Sequence, residues 1–592
     1  MTEAGPGAGV PVVAVRQVGP PRQVLPRRGP AARRGALEAV LGDPGDAANP
    51  LGDAGVLAAE RRGDLPLGGE PSLASFGLHE DFVPEEHGGR LAGLDEAAAL
   101  LRAVFRRDAA LGRGYGSASL GAALYAWCFG TAGQRAATAR LLLAGERIAG
   151  GAAVEEGLTA TAADGAPLRL TGRTTALVNA PRAAGLVVVP RHAGTGAGPD
   201  GESVLLLRRG DLPPGAVGQL SPYDVGVPPR IPAGELVLDD WAVPAGAVIG
   251  EVGDGQWVTR RVAQARLPLL PSMAVGCADT ALRAVLTAVL TERGGVRGMR
   301  SRVTRRTVVS AFADLLAADC LSLVTLRSLH LMPERSSIWS AAARYLVLRL
   351  LQEGVGDLMT VLGTDSMRDG DGLGTFHKQV RDLAAMPPGP AGSAAALATL
   401  LPQLPTLARR SWTAQGQPAP EELFRPDGPV PPLAGARLKL AAADDGLTVL
   451  LARARDGLAD EGLADWPTAL SDELAALRDQ CRRLPELDPA VLANPRGFAL
   501  GERYALLAAA AACLGVWRTA RRAGTGGFLA EQAWLLTALG RISVRLGLPV
   551  TAASADHEDV LLAEAVRRCR EGHSLDLYDT ALGTPARHRE KG

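Results

Sequence analysis

The chain has 592 residues, which is too long for one hydrophobic core and favours roughly three or four domains. Its 63 lysines and arginines balance its 63 aspartates and glutamates, so the formal net charge is zero and nothing favours a nucleic-acid partner. Hydrophobic residues make up 47% of the chain. Many of them are alanine, which favours helix because it loses no side-chain entropy there.

The six cysteines lie far apart and form no CxxC pair, so the sequence predicts neither a metal site nor a redox dithiol. We expect buried free thiols, as in a reducing cytosol. The N-terminus lacks the charged start and long apolar run of a signal peptide. The most apolar stretch, Tyr504 to Trp517, is shorter than the roughly 20 residues that span a bilayer. We therefore expect a cytoplasmic protein with no membrane partner.

The hydrophobic pattern changes several times along the chain. Apolar residues at three- and four-residue spacing predict helices, and short apolar runs between Gly, Pro and Asp turns predict strands. The predicted segments are a flexible arm (1–34), an N-terminal helical domain (35–145), a β-domain (146–258), a helical bundle (259–410), a Pro-rich linker (411–434) and an additional helical domain (435–592). Because the strands are grouped between helical blocks, the sequence predicts an α+β fold.

Four motifs in chain order carry a resemblance to a known family. They are PEEHGG (Pro84–Gly89), FGTAGQRAATARLLLAGERIAG (Phe129–Gly150), GELVLDDWAVPAGAVIGEVGDG (Gly234–Gly255) and ARLPLLPSMAVGCADTAL (Ala265–Leu282). Together they resemble motifs of the acyl-CoA dehydrogenases, over residues 35–400. The resemblance implies an N-terminal helical domain, a middle β-domain and a C-terminal four-helix bundle, to which this chain adds a further helical domain.

The resemblance also implies a cofactor and a substrate. In the family, FAD lies between the β-domain and the bundle, and a neighbouring subunit grips part of it, so we expect a homodimer or a tetramer. The usual reaction removes a proton at Cα of an acyl thioester while a hydride leaves Cβ for the flavin, which requires a carboxylate base. The expected substrate is a thioester of CoA or of a carrier protein.

The cofactor positions are altered relative to the family. Ala176 stands where a tryptophan packs by the flavin, and Val178 stands where a hydroxyl bonds its edge; Asn179 ends that strand. Further expected contacts are Val154 in the VEEG loop, Arg293 or Arg297 for a phosphate across the dimer, and Gly363 with Thr364 in LGTDSM.

Neither of the two positions that supply the family's base holds a carboxylate. One falls on Gly389 or Pro390, and the other falls on Ala265, just before Arg266. Glu155 and His377 are the candidate replacements, since both residue types exchange protons near neutrality when suitably placed. The structural alternatives are a solvated loop acid for Glu155 and a partly exposed helix-start histidine for His377.

Three functions follow from this pattern. The first is a flavin-dependent oxidoreductase acting on an acyl thioester, typical of a tailoring step in secondary metabolism. The second is a cyclase or eliminase that binds flavin or a thioester in the family's pocket but does not transfer hydride. The third is a non-catalytic partner that stabilises an intact dehydrogenase. Loss of both base positions favours the second and third.

Overall fold

The computed structural model describes most of the chain. The described residues are 29–151, 155–161, 167–193, 201–221, 230–291, 299, 301–362, 373–386, 389–457, 466–484, 494–524, 527–549 and 555–583.

The N-terminal part is helical, as predicted from its apolar spacing. Its helices are α1 (Pro30–Leu41), α2 (Asp53–Arg62), α3 (Gly69–Phe76), α4 (Leu94–Arg107), α5 (Ala109–Leu111), α6 (Ala118–Phe129) and α7 (Ala132–Leu143). The arm was predicted to reach residue 34, but α1 already begins at Pro30 and Arg34 is buried. Proline suits that position because the first helical N–H has no acceptor within the helix.

Strands occupy residues 147 to 249 and form two sheets. They are β1 (Arg147–Gly150), β2 (Glu155–Thr161), β3 (Arg169–Arg173), β4 (Leu177–Val178), β5 (Ala183–Val188), β6 (Pro190–His192), β7 (Val204–Arg208), β8 (Val217–Leu220), β9 (Ala233–Ala242) and β10 (Val248–Ile249). The first sheet has the order β1-β5-β7-β10, and the second has the order β4-β9-β3-β2-β6 with β8 also paired to β9. The side chains between the sheets form an apolar core of their own.

The bundle follows directly. Its helices are α8 (Gly255–Arg266), α9 (Leu269–Thr291), α10 (Arg302–Leu331), α11 (Ser336–Leu362), α12 (Gly374–Ala384), α13 (Gly389–Leu400) and α14 (Leu404–Arg410). Helix α4 lies against α9, where the side chains of Arg102 and Arg106 bond to Ser272 and Asp279. The N-terminal helices and the bundle therefore share one interior.

The predicted linker and the additional helical block lie on the bundle. The block contains α15 (Val449–Gly457), α16 (Trp466–Cys481), α17 (Pro495–Arg522), α18 (Gln532–Arg545) and α19 (Ala555–Glu571). A Cβ atom on Gly515 of α17 would lie 2.2 Å from the Phe424 ring, and one on Gly501 would lie 2.6 Å from Leu397 of α13. These glycines allow α17 to approach the linker and the bundle closely, so the block shares the bundle's core.

Within the described residues, three helical stretches are long and apolar enough to cross a bilayer by length and composition, namely Gly255–Leu290, Arg302–Leu331 and Pro495–Arg522. The third contains the apolar run that looked too short in the sequence. Most of each apolar window is buried inside the protein, at 61%, 89% and 83%. Burial in the core accounts for this composition. The cysteines are free thiols, five of them buried, as expected.

Candidate cofactor and substrate site

The strand predicted to face the cofactor lies at the edge of the larger sheet. In β4, Leu177 pairs with Gly234 and Val178 pairs with Ala233 of β9. Ala176 and Val178 are both half-buried, and neither side chain offers a hydrogen bond. This edge therefore presents a small apolar surface where the family has an aromatic ring and a hydroxyl.

Asn179, directly after β4, joins the sheet to the helical domain. Its backbone is left-handed, at φ 66°, a conformation that asparagine tolerates better than most residues. Its Nδ2 donates to the carbonyl of Gly114, while its Oδ1 is buried and has no hydrogen-bond donor among the described residues. A buried acceptor without a donor costs about 1–3 kcal/mol. Asn179 Oδ1 is thus an unused acceptor inside the protein, at a residue that is 0% exposed.

Gly114 belongs to a π-helical turn, Gly112–Ser117, inserted between α5 and α6. Such turns are rare and often occur at functional sites. The preceding residue, Arg113, is half-buried, and no described residue forms a hydrogen bond or ion pair with it. Burial lowers the pKa of Arg113, and Asp382 opposes that shift. The turn therefore holds a cation that lacks a full counter-charge.

A buried ion cluster lies beside this turn. Asp108, the N-cap of α5, bonds to Arg230 and lies 3.3 Å from Lys378 Nζ. Lys378 also bonds to Asp382 one turn along α12, and Arg230 lies 3.7 Å from the same carboxylate. Two buried carboxylates are thus paired with two buried cationic side chains. The cluster fastens α12 to the start of the π-helical turn.

The pKa values in this cluster shift as its pairing requires. Burial alone would raise the pKa of Asp108, but Lys378 and Arg230 bring it below its ordinary value. Burial would lower the pKa of Lys378, yet Asp108 and Asp382 outweigh it and raise that pKa. Burial, aided by the charge of Asp108, raises the pKa of Asp382 despite its lysine partner. Lys378 is therefore held in its charged form.

The entry to the predicted flavin loop is shaped by two glycines. Gly150 and Gly151 have φ values of 93° and 69°, and a Cβ on Gly150 would lie 2.0 Å from the carbonyl oxygen of Val187. A Cβ on Gly151 would lie 2.6 Å from the Tyr125 ring, whose hydroxyl donates to the Gly151 carbonyl at 2.9 Å. Only glycine fits here, so the chain enters the loop in one fixed direction.

The family's base positions hold no proton acceptor. Ala265 is fully buried, and Gly389 and Pro390 open α13. Next to Ala265, the charge of Arg266 acts on Arg344 of α11. Burial and that neighbouring charge lower the pKa of Arg344 to about 10, and no described residue pairs with it. Two guanidinium groups, those of Arg266 and Arg344, therefore lie near each other beside Ala265.

The two candidate replacement bases are only partly located. The backbone of Glu155 opens β2 opposite Pro190, and its side chain is not among those described. His377 is half-buried in α12, with its ring 5.7 Å from that of Phe376, and no described residue bonds to its imidazole. Both assignments remain predictions. The other cofactor residues predicted from the sequence lie outside the described residues: Val154, Arg293, Arg297, Gly363 and Thr364.

Asp108, Arg113 and Arg230 were not predicted as site residues from the sequence. One signal did point to Lys378, which lies beside Asp108: it is one of only three lysines in an arginine-rich chain. A lysine in such a chain suggests a position that the larger, planar guanidinium group of arginine does not fit.

Comparisons with known proteins now show the fold. No family model matches the chain, and no curated protein sequence matches it. Solved structures do match. An acyl-CoA dehydrogenase complexed with FAD from Bacillus anthracis superposes with a TM-score of 0.64 at 14% identity, over 91% of this chain and 91% of that one. Butyryl-CoA dehydrogenase from Megasphaera elsdenii gives 0.52 at 17% identity, over 61% of this chain and 94% of that one.

A third match broadens the chemistry found on this architecture. Dibenzothiophene monooxygenase from Paenibacillus sp. A11-2 superposes with a TM-score of 0.51 at 15% identity, over 63% of this chain and 95% of that one. The protein therefore has the acyl-CoA dehydrogenase fold, as the four motifs predicted. Because the first match covers 91% of this chain, it includes much of the helical block after residue 435. That block is part of the architecture that the two chains share.

Proposed function

We propose that the protein is a flavin-dependent oxidoreductase that binds FAD between β4 and the bundle and oxidises an acyl thioester. The fold, matched over 91% of the chain, carries this proposal. The thiol is CoA or the phosphopantetheine arm of a carrier protein, and the reaction is a tailoring step of secondary metabolism. The cofactor site is shared across a homodimer or tetramer, as the predicted roles of Arg293 and Arg297 require.

The described residues fit a flavin ring. The unpaired Oδ1 of Asn179 suits a ring N–H, and Ala176 with Val178 provides an apolar surface along one edge. Arg113, next to Gly114, suits a carbonyl oxygen or negative charge. FAD supplies the hydride acceptor when bound. In this chain Asn179 orients the ring, and the glycine pair 150–151 directs the loop that covers it.

Substrate activation is proposed to rest on positive charge. Arg266 and Arg344 stand beside Ala265, where the family has a base. Positive charge there stabilises negative charge developing on a thioester oxygen, which makes Cα more acidic. His377 and Glu155 are the proposed proton acceptors. Replacing the one that acts, by H377Q or E155Q, should slow flavin reduction by about 10²–10⁴-fold while leaving FAD binding intact.

A second function, that of a non-catalytic or non-redox member of the fold, is favoured by one observation. Ala265 is 0% exposed and lies in the apolar core, so the base at this position has been replaced by a packed methyl group. Such a protein would act as the partner of an intact dehydrogenase. It would hold flavin or thioester without transferring hydride.

The visible absorption spectrum with added FAD separates these functions. We expect flavin bands at about one FAD per chain and anaerobic bleaching by acyl-CoA or acyl-carrier thioesters. A protein that ignores FAD contradicts the flavin assignment, and one that binds FAD without bleaching supports the second function. V178T, which restores a hydroxyl at β4, should tighten FAD binding, whereas the control V237T, at an exposed position of β9, should not.

A further inference from the structure

One cavity of the described structure lies apart from β4 and from the residues proposed to hold FAD. It has a volume of about 790 Å³, within the range of small-molecule sites, and is lined mainly by three segments, together with Asp81, Trp127, Arg135 and His330. The three segments are residues 29–34 at the start of α1, the turn and helix start over 84–100, and residues 428–433 of the predicted linker. Neither Asn179 nor Arg113 lines it.

The walls of this cavity are fixed by His330 at the end of α10. The backbone N–H of Leu94 donates to His330 Nε2 at 3.0 Å, so the ring proton is on Nδ1, which donates to the carbonyl of Pro431 at 2.8 Å. Burial lowers the pKa of His330, in agreement with a neutral ring. Arg327 also donates to the Gly428 carbonyl at 3.1 Å. The linker is thereby tied to the first turn of α4.

One side of the cavity is apolar. Leu94, Ala97 and Leu100 present one face of α4, and Trp127 of α6 lies opposite the turn. The indole of Trp127 is held by a bond from its Nε1 to the Phe82 carbonyl at 3.2 Å and by stacking with His87 at 5.7 Å. This wall suits a hydrocarbon chain or another apolar body.

The other side has unused hydrogen-bonding capacity. Arg34 is 5% exposed; its Nη2 donates to Asp427 at 2.9 Å, while its Nε and Nη1 have no acceptor among the described residues. Glu96, on the first turn of α4, forms no hydrogen bond or ion pair with any described residue. By contrast, Arg33 is paired with Asp81. Arg34 and Glu96 therefore each keep hydrogen-bonding groups that can meet a ligand.

We propose that this cavity binds a medium-chain carboxylate, with its head between Arg34 and Glu96 and its chain along Leu94, Ala97, Leu100 and Trp127. A carboxylate satisfies the unpaired guanidinium nitrogens, because charge-assisted bonds to arginine are the strongest available to it. Glu96 is then protonated and donates a hydrogen bond to the ligand carboxylate. One oxygen of Glu96 and one oxygen of the ligand share this proton, since two adjacent carboxylates resist ionising together.

This arrangement makes binding depend on pH. Burial raises the pKa of Glu96 to about 7. The charged groups around it are Asp95 and Asp427, which raise that pKa further, and Arg34 and Arg327, which lower it. A ligand carboxylate adds another negative charge, so binding takes up a proton. Affinity is therefore full below pH 7 and is lost as the pH rises through 7.

Isothermal titration of the full chain with decanoate, at pH 6.0 and pH 8.0, tests the proposal. We expect binding about tenfold tighter at pH 6.0, where Glu96 already carries its proton. At pH 8.0 binding should take up a proton, seen as a dependence of the measured heat on the ionisation heat of the buffer. E96Q should bind equally at both pH values, because an amide donates without titrating, while the exposed control E146Q keeps the dependence. A97F, which fills the cavity, should abolish binding, and the exposed control A132F should not.

Each other outcome overturns the proposal. Absence of binding at millimolar decanoate does so. Binding that A97F leaves unchanged places the ligand elsewhere, including the proposed FAD site beside β4. Binding that appears only when residues 1–28 are removed would assign the cavity to the chain's own N-terminal segment. Thermal unfolding of A97F and E96Q verifies that both variants fold.

Discussion

Arg106 and Asp576 are 470 residues apart in sequence, yet Arg106 Nη2 donates to Asp576 Oδ2 at 2.5 Å in the interior. The same guanidinium donates to Asp279 at 2.7 Å and to Glu38 at 2.8 Å. One arginine of α4 thus joins α1, the bundle helix α9 and the segment after α19. Arg106 thus ties the end of the helical block to the first helix, beside the direct contact of Arg34 with the Tyr578 ring.

Removing Asp576 should therefore destabilise the whole molecule. D576N removes one of the carboxylates that face Arg102 and Arg106, which keep Asp319 and Asp279 as partners, and breaking a buried pair costs up to about 3–5 kcal/mol. Urea unfolding at pH 7 measures this, with D211N on the exposed surface as control. A loss below about 1 kcal/mol would contradict the role given to this contact.

The pH dependence of that loss has a defined sign. Burial would raise the pKa of Asp576, but Arg106 and Arg102 hold it well below its ordinary value. The stabilisation is therefore present above the unfolded pKa of about 3.9 and is lost as the pH falls towards the folded pKa. We expect the difference between wild type and D576N to shrink below about pH 4. A difference that stays constant to pH 2 would contradict this account.

Asp445 organises the junction between the linker and the bundle. Its buried carboxylate accepts from Trp339 Nε1, Trp412 Nε1, Tyr504 Oη and Thr448 Oγ1, each at 2.9 Å. Substitution by leucine leaves these donors without an acceptor, and each unpaired donor costs about 1–3 kcal/mol. The free energy of unfolding of D445L should therefore fall by more than about 3 kcal/mol. The near-ultraviolet circular dichroism of Trp339 and Trp412 should also be lost.

The neighbouring residue provides a matched control for that variant. Asp444 forms an ion pair with Arg335 at 3.0 Å, and its side chain is 37% exposed. D444N should therefore cost at most about 1 kcal/mol. If D444N and D445L lowered the free energy of unfolding equally, the buried network of Asp445 would contribute no more to stability than one surface ion pair does.

The fold was predictable to the extent that its signals are local. The four motifs each lie within one continuous stretch, and alternating apolar spacing separates strands from helices without knowledge of tertiary contacts. The boundary of the arm was missed because Arg34 looks like a solvent-exposed arginine in sequence. Only the packing of α1 against α4 and Tyr578 shows that it is buried, with its guanidinium 4.1 Å from that ring.

The site was less predictable because its charges come from three segments. Lys378 and Asp382 lie one turn apart on α12, but Asp108 and Arg230 are distant in sequence, and only the topology brings all four together. The cavity lined by Arg34 and Glu96 is likewise built from several distant stretches. Long-range pairing of this kind leaves no local pattern. The residues that align with a family motif, such as Ala176 and Val178, were found because the comparison was local.

The Lys378 cluster should show strong coupling between its members. K378M leaves Asp108 and Asp382 as buried carboxylates with only Arg230 between them, so we expect a loss of about 3–5 kcal/mol. Adding D382N should restore part of that stability, because it removes an unpaired charge. A double-mutant cycle measures the coupling, with K439M, at an exposed lysine, as control. Additive effects of K378M and D382N would contradict the pairing.

Gly114 offers a way to separate the cofactor site from the stability of the fold. A Cβ there would lie 3.6 Å from Ile231 and 4.0 Å from Asn179 Oδ1, which are ordinary contacts. G114A should therefore fold normally and gain up to about 1 kcal/mol in free energy of unfolding, because alanine restricts the unfolded chain.

If FAD uses Asn179 Oδ1 as proposed, the added methyl group narrows the space through which FAD approaches that oxygen. FAD binding should then weaken about tenfold in a fluorescence titration. G133A on α7, where a Cβ meets only Thr131 at 3.9 Å, should leave FAD affinity unchanged. Unchanged FAD affinity in G114A would show that the cofactor does not approach this turn, and the flavin would then have to be sought elsewhere in the fold.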